Sequence, residues 1–188
     1  MRLNATISKQ KSDLKYHLID GNIMKPENHP HINDALNKIW GSDSGMLKIN
    51  VSSEIPPSAG LGSSAALSVA ITTGLIAAKK EEINLEKIST IAHKLEAEAQ
   101  GGLASPMDTS TSTHGGCILL SNEKLEEKWL YSRELENKKW EIHSFELHEN
   151  MKNVSLVIGH SGIHGSTSEM VLGVKKRLDE KPELMHDI

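Results

Sequence analysis

The sequence is poor in cysteine, aromatic residues and net charge, and each shortage excludes a class of protein. One cysteine in 188 residues excludes a disulfide framework and a four-cysteine zinc site. One Phe, two Tyr and three Trp leave few rings on which single-stranded nucleic acid could stack. A net charge of -4 argues against a basic nucleic-acid binder, and 37% apolar residues argue against a disordered chain. We therefore expect a folded protein with an aliphatic core and no nucleic-acid partner.

Long apolar runs are also missing from the sequence. The least polar stretch, residues 65–78, is too short to cross a bilayer, and it contains Ser68, Thr72 and Thr73. The first residues lack the apolar core of a signal peptide. These absences predict a cytoplasmic protein that does not bind a membrane.

Hydrophobic spacing predicts a mixture of strands and helices. We expect strands over 14–19, 47–51, 117–120 and 154–158, and helices over 31–40, 63–79, 85–99 and 167–178. The last two strands, the first of which contains Cys117, are expected to be buried. Residues 121–150 are rich in charge and are expected to form a solvent-facing hairpin or connector, followed after strand 154–158 by a loop over 159–165. Strands and helices do not alternate regularly, so the pattern favours an α+β fold.

The strongest functional signal is a loop with two glycines between a strand and an apolar helix. Gly60 and Gly62 remove side chains where a ligand would approach the backbone. Ser63 and Ser64 fall in the first turn of the helix, whose free N–H groups attract an anion. No lysine directly follows Gly62, and the next one along the chain is Lys79, which excludes a Walker-type phosphate loop. A tight turn before a core helix would explain the same residues, so phosphate binding and a plain turn both stay open.

Three acidic residues follow in two groups. Glu96 and Glu98 lie about 200° apart around a helix, so only one of them can face a given site. Taken alone, either glutamate fits the solvated edge of an amphipathic helix. Asp108 lies in a Ser/Thr-rich turn over 105–113, where a carboxylate can accept a proton from a bound alcohol. In isolation, this turn favours an Asx-turn in which Asp108 bonds the backbone of Ser110.

Taken in order, these segments resemble the GHMP small-molecule kinases. The motifs that match are the loop from Pro57 to Ala66, the helix end from Leu95 to Gly101, and the segment from Ser105 to Gly116. The last segment most resembles the archaeal-type mevalonate kinases, and residues 166–174 fit the same branch. The resemblance extends over residues 28–182.

The resemblance implies ATP-dependent phosphorylation of the primary alcohol of mevalonate in isoprenoid biosynthesis, with Mg²⁺ as cofactor. It implies metal ligands at Ser64 and Glu96 and a catalytic base at Asp108. It implies phosphate binding by Pro57, Ser58, Ala59, Gly60, Leu61, Gly62, Ser63, Ser64 and Ala65. Another GHMP kinase substrate (phosphomevalonate, homoserine, pantoate or a sugar) and a non-catalytic nucleotide-binding role are the alternatives.

The resemblance also implies two domains. Residues 1–150 are expected to form a ribosomal protein S5 domain 2-like GHMP kinase N-terminal domain without its first segment. Residues 151–188 are expected to begin a ferredoxin-like C-terminal domain. The family's N-terminal lysine motif has no counterpart before Pro57, and the family's C-terminal glycine-rich motif has none in the sequence. The sequence does not fix the oligomeric state, and a homodimer is kept as an expectation.

Overall fold

The structure, a computed structural model, describes residues 1–10, 17–19, 22–24, 29–41, 46–146, 149–155, 157–159 and 167–185. Within these ranges, helices and strands follow one another without regular β-α-β alternation, which confirms the predicted α+β class. No helix in these ranges is long and apolar enough to cross a membrane.

Four strands form the first sheet, in the order β1-β4-β2-β3. Strand β4 (Met46–Ser53) lies antiparallel to β1 (Leu3–Gln10) and parallel to β2 (His17–Ile19). Strand β3 (Asn22–Met24) pairs antiparallel with β2 at the edge. The prediction of a strand over 14–19 is confirmed for its last three residues, and residues 14–16 lie outside the described ranges.

Strand β1 was not predicted, although its pattern was available in the sequence. Leu3, Ala5 and Ile7 alternate with polar residues, which is the spacing of a half-buried strand. In the structure these three side chains pack against the main core cluster. Because strand β1 pairs with β4 along its whole length, it fixes one edge of the sheet on which the helices rest.

Three helices occupy the positions that hydrophobic spacing predicted. Helix α1 (Pro30–Ala35) continues as a π-helical turn to Trp40, with proline at its first turn, where the missing N–H is harmless. Helix α2 (Ser63–Ala78) packs on β1, and α3 (Leu85–Ala99) packs on α2. The Asn84 side chain accepts a hydrogen bond of 2.8 Å from the Lys87 N–H and so caps the start of α3.

The core between this sheet and the helices is mostly aliphatic, as the composition predicted. Ile49, Ile71, Leu75 and Leu95 are completely buried there. Gly74 allows close approach of α2 to β1, because a Cβ atom at Gly74 would lie 2.6 Å from Cδ1 of Ile7. This close contact near the end of α2 packs the helix tightly against the sheet.

A second, antiparallel sheet has the order β5-β7-β6. Its strands are β5 (Cys117–Ser121), β6 (Trp129–Leu135) and β7 (Lys138–Phe145). The β6–β7 pair confirms a hairpin within residues 121–150. The hairpin is not solvent-facing on both sides, however, because five of its side chains are buried: Tyr131, Arg133, Glu141, Ile142 and His143.

The prediction of a turn over residues 105–113 is wrong, because most of the segment is helix α4 (Met107–His114). The N–H of Ser110 donates to the Pro106 carbonyl at 2.9 Å, which is a helical hydrogen bond and not an Asx-turn. Threonine and serine are poor helix formers because their hydroxyls compete for backbone groups. Here Thr109 and Ser110 are completely buried, so tertiary packing overrides their low helix propensity.

Two predictions of buried strands also need correction. Cys117 is exposed, although the strand that begins with it is present. In segment 154–158, the described residues form no strand, and Val157 is 89% exposed.

A short 3-10 turn (Glu149–Asn153) precedes segment 154–158. Of the predicted loop over 159–165, only Gly159 is described. Helix α5 (Thr167–Glu180) confirms the helix predicted there, and α6 (Pro182–Met185) follows it.

Candidate active site

The loop before α2 adopts the backbone conformation that its glycines permit. Gly60 and Gly62 have φ values of 70° and 67°, in the left-handed region that disfavours other residues. Ser58 also has a positive φ, of 55°, which is uncommon for a residue with a side chain. Gly62 is the N-cap of α2, so Ser63 and Ser64 form the first turn of that helix, as predicted. The free N–H groups of that turn are therefore available to a ligand.

A cleft of about 470 Å³ lies beside this helix start. The loop, the first turn of α2, the end of α3 and the start of α4 all contribute to its wall. The predicted site residues that line it are Ser58, Gly60, Leu61, Gly62, Ser63, Ser64, Ala65, Glu96 and Asp108. Pro57 and Ala59 belong to the same loop but lie outside the lining. Val171, from helix α5, also lines the cleft.

The Glu96 carboxylate is 3% exposed, accepts three hydrogen bonds and lies close to the His31 imidazole. Its Oε1 atom accepts a hydrogen bond of 2.7 Å from Ser68 and lies 3.2 Å from Nδ1 of His31. Its Oε2 atom accepts hydrogen bonds of 2.9 Å from Ser64 and from Gln100. Since a buried carboxylate is stable only when its oxygens are hydrogen-bonded, these donors make the burial of Glu96 possible.

The two neighbouring glutamates face opposite environments, as their spacing predicted. Glu98 is 52% exposed and pairs with Lys38 at the surface. Glu96 points into the cleft wall. Only Glu96 is therefore placed to contact a molecule in the cleft.

Asp108 lies directly across from the loop. A Cβ atom built on Gly62 would be 3.5 Å from Cγ of Asp108, so the loop backbone and the carboxyl group are in contact distance. Asp108 is open to the cleft, but the surrounding protein removes part of its hydration. This desolvation raises the pKa of the Asp108 carboxyl, and the negative charge of Glu96 raises that pKa further.

The donor set at the cleft fits a hard divalent cation that is also bound by phosphate. Adjacent ligands of Mg²⁺, at 2.0–2.1 Å from the ion, are about 2.9 Å apart in an octahedron. The Ser64 Oγ and Glu96 Oε2 atoms are 2.9 Å apart. Among the residues that the structure describes, no group of three His, Cys, Asp or Glu side chains could hold a metal. One carboxylate and one hydroxyl are what a site needs when phosphates supply further oxygens.

Sequence reasoning gave no role to three residues that contact Glu96. Ser68 lies one helical turn after Ser64, and Gln100 lies one turn after Glu96, so the i to i+4 spacing could have indicated both. His31 comes from α1, far away in the sequence. No local pattern connects His31 with Glu96.

The sequence of the chain is similar to those of known proteins. Residues 31–116 match the family model of the GHMP kinases N terminal domain. The mevalonate kinase of Methanothermobacter thermautotrophicus is 34% identical over 143 residues, which are 76% of this chain and 40% of that protein. The mevalonate kinase of Pyrococcus furiosus is 32% identical over 139 residues, 74% of this chain and 35% of that protein. The chain thus spans less than half the length of these curated relatives.

The fold of the chain is similar to those of solved structures. A crystal structure of the Methanococcus jannaschii mevalonate kinase superposes with a TM-score of 0.55 and 25% identity, over 66% of this chain and 46% of that chain. A crystal structure of the L. major mevalonate kinase in complex with R-mevalonate has a TM-score of 0.60 and 19% identity. It covers 99% of this chain and 54% of that chain. The second likeness concerns the fold alone.

Proposed function

We propose that this chain, whose residues 31–116 match the GHMP kinase N-terminal domain, provides the phosphate-binding and catalytic side chains of an ATP-dependent mevalonate kinase. The observation that carries the proposal is the shared cleft. The loop, Glu96 and Asp108 come from three separate segments and line one cavity. A plain turn before a core helix would not require an acidic residue from α4 to lie against it.

Phosphate binding is proposed for the loop from Pro57 to Gly62 and the first turn of α2. The loop glycines leave the backbone uncovered, and the helix N-terminus carries partial positive charge. Ser63, Ser64 and Ala65 bring free N–H groups to the same place. No lysine side chain is needed for this cradle, because the donors are backbone N–H groups.

Ser64 and Glu96 are the proposed ligands of Mg²⁺. When bound, Mg²⁺ would neutralise charge on the ATP phosphates. Ser64 and Glu96 present two oxygens at the cleft wall with the spacing described above, and Gln100 holds the same Glu96 oxygen. Glu96 is therefore aimed before any ligand arrives, which reduces the reorganisation that binding requires.

Asp108 is the proposed catalytic base. A hydroxyl becomes a good nucleophile when its proton has an acceptor, and Asp108 is a carboxylate that lines the cleft beside the loop. Its raised pKa makes it a better proton acceptor than an ordinary aspartate. The proton of the substrate hydroxyl moves to Asp108 as the hydroxyl oxygen bonds to the γ-phosphorus and the bond to ADP breaks.

The proposed substrate is mevalonate, and the support for it is the similarity to mevalonate kinases over three quarters of this chain. The proposal includes a domain over 1–150 and the start of a ferredoxin-like domain over 151–188. Val171 of the second segment reaches the cleft wall, which is where a second domain would complete the site. A cytoplasmic location and a homodimer belong to the same proposal.

A substrate panel tests the proposed function. The 188-residue chain, and any longer product of the same reading frame, would be incubated with ATP and Mg²⁺. The alcohols would be mevalonate, phosphomevalonate, homoserine, pantoate and galactose, with ADP release as the readout. We expect phosphorylation of mevalonate alone. Preference for another alcohol would replace the substrate, and absence of nucleotide binding by every product would overturn the kinase proposal.

A further inference from the structure

The two oxygens of Glu96 have different surroundings. Oε2 contacts Ser64 and Gln100, and both of these residues line the cleft. Oε1 contacts Ser68, which is completely buried, and His31, which is 14% exposed. Neither Ser68 nor His31 lines the cleft. One oxygen therefore faces the ligand space and the other faces the interior between α1, α2 and α3.

We infer that His31 is a positioning residue that, together with Ser68, holds Oε1 of Glu96 so that Oε2 is presented to a divalent cation. This inference rests on the proposed function, because it assigns His31 to the same metal site. His31 does not touch the cation or the substrate; it acts through Glu96.

The need for such a residue follows from the glutamate side chain. The last torsion of Glu is broad, so an unrestrained carboxyl group rotates readily and exchanges its two oxygens. One hydrogen bond to Oε1 allows rotation about that contact, whereas donors from two directions fix the carboxylate plane. Since a carboxylate oxygen only accepts hydrogen bonds, His31 can hold Oε1, which lies 3.2 Å from its Nδ1 atom, only through a proton carried on Nδ1.

The position of His31 is itself fixed by packing. His31 is the second residue of α1, and Ile32 and Ala35 of that helix are completely buried. The Nδ1 atom of His31 also lies 3.4 Å from the Ser68 hydroxyl, so the three groups form a closed cluster. Helix α1 packs against both α2 and α3. The imidazole is therefore supported by the same core that holds the metal ligands.

Direct measurement of cation binding tests the inference. Mn²⁺ accepts the oxygen ligands that suit Mg²⁺, and its free form is counted by electron paramagnetic resonance. The 188-residue chain would be titrated with Mn²⁺ in the presence of a non-hydrolysable ATP analogue. Partners that orient a metal ligand typically contribute 10–100-fold to affinity. We expect His31→Leu to weaken Mn²⁺ binding by about that factor and to leave binding of the metal-free nucleotide unchanged.

Two further variants separate positioning from general destabilisation. Asparagine places an amide N–H₂ near the position of Nδ1, so His31→Asn should recover most of the Mn²⁺ affinity. The matched control is Thr72→Val, because Thr72 is completely buried one turn beyond Ser68 and its hydroxyl has no hydrogen-bond partner among the described residues. Thr72→Val should bind Mn²⁺ like the unaltered chain.

Each result has one meaning. Equal Mn²⁺ affinity in His31→Leu and the unaltered chain would overturn the positioning role alone and leave the metal site in place. Equal weakening in His31→Leu, His31→Asn and Thr72→Val would also overturn it, since the effect would then be unspecific. If the unaltered chain binds no Mn²⁺ with the nucleotide, the proposed metal site fails, and the inference fails with it.

Discussion

The Cβ position of Gly62 lies 3.5 Å from Cγ of Asp108, and both residues line the cleft. This contact places the proposed phosphate-binding loop next to the proposed base, so that a phosphoryl group bound by the loop would lie beside the carboxylate. It also explains why a side chain at position 62 would be harmful for two reasons, backbone strain and occupation of the cleft.

Gly62→Val should weaken ATP binding by at least about tenfold, which corresponds to about 1.4 kcal/mol. The valine would enter the space between the loop and Asp108, and it would adopt a left-handed conformation that β-branched residues avoid. Calorimetric titration with a non-hydrolysable ATP analogue measures the loss.

Gly101→Val is the matched control for that variant. Gly101 has a φ of 62°, close to that of Gly62, but nothing lies within 4 Å of its Cβ position, and it does not line the cleft. Both variants should lower the melting temperature, and only Gly62→Val should lower ATP affinity. Similar ATP affinities in the two variants would contradict phosphate binding at the loop.

Glu96→Gln should raise the Mg²⁺ concentration needed for nucleotide binding and should also destabilise the fold. The glutamine amide would point an N–H₂ group at donors that now share a carboxylate. Unsatisfied buried groups cost about 1–3 kcal/mol each. Glu98→Gln removes only a surface pair with Lys38, so both effects should be small. Metal titrations measure the Mg²⁺ requirement, and urea denaturation measures the stability of the fold. If Glu98→Gln raised the Mg²⁺ requirement more than Glu96→Gln, Glu98 and not Glu96 would be the metal ligand.

Asp108→Asn should reduce turnover by about 10²–10⁴-fold, the usual contribution of a general base, while ATP binding stays close to normal. Asparagine keeps the size of the side chain and loses only the charge and the ability to accept the proton. Turnover would be measured in whichever product of the reading frame phosphorylates mevalonate. Near-normal turnover in Asp108→Asn would leave the mechanism without its base.

The Asp108 carboxyl should titrate above the ordinary aspartate pKa in a carbon-13 NMR experiment on the 188-residue chain. Desolvation is the larger cause of the raised pKa and the charge of Glu96 is the smaller. Glu96→Gln should therefore lower the pKa of Asp108 only part of the way to the ordinary value. Glu98→Gln should leave that pKa unchanged, because Glu98 faces the surface. An ordinary pKa in the unaltered chain would contradict the packing around Asp108.

The sequence predicted best the elements whose signals are local. Helix α3 combines an amphipathic stripe with the Asn84 cap, and both depend on residues a few positions apart. The choice between Glu96 and Glu98 was limited by helix geometry alone, and the resemblance then selected Glu96. These predictions needed no knowledge of the tertiary fold.

The sequence predicted poorly the structural features that depend on contacts between residues far apart in the chain. Helix α4 has a hydroxyl-rich sequence that favours a turn, but burial of Thr109 and Ser110 stabilises it. Cys117 begins a strand whose neighbours leave it exposed, and strand periodicity does not say which face is covered. The contact of His31 with Glu96 joins two segments that no short pattern relates.

The three hydrogen bonds to Glu96 and its contact with His31 give this residue a structural role, which matters when related sequences are compared. A descendant that had lost catalysis would still be selected to keep Glu96, because its carboxylate ties three helices together. Asp108 lies outside that cluster and is exposed, so its replacement would leave the fold intact. If Asp108 is the catalytic base that we propose, position 108 distinguishes an active kinase from an inactive relative with an otherwise similar sequence, and position 96 does not.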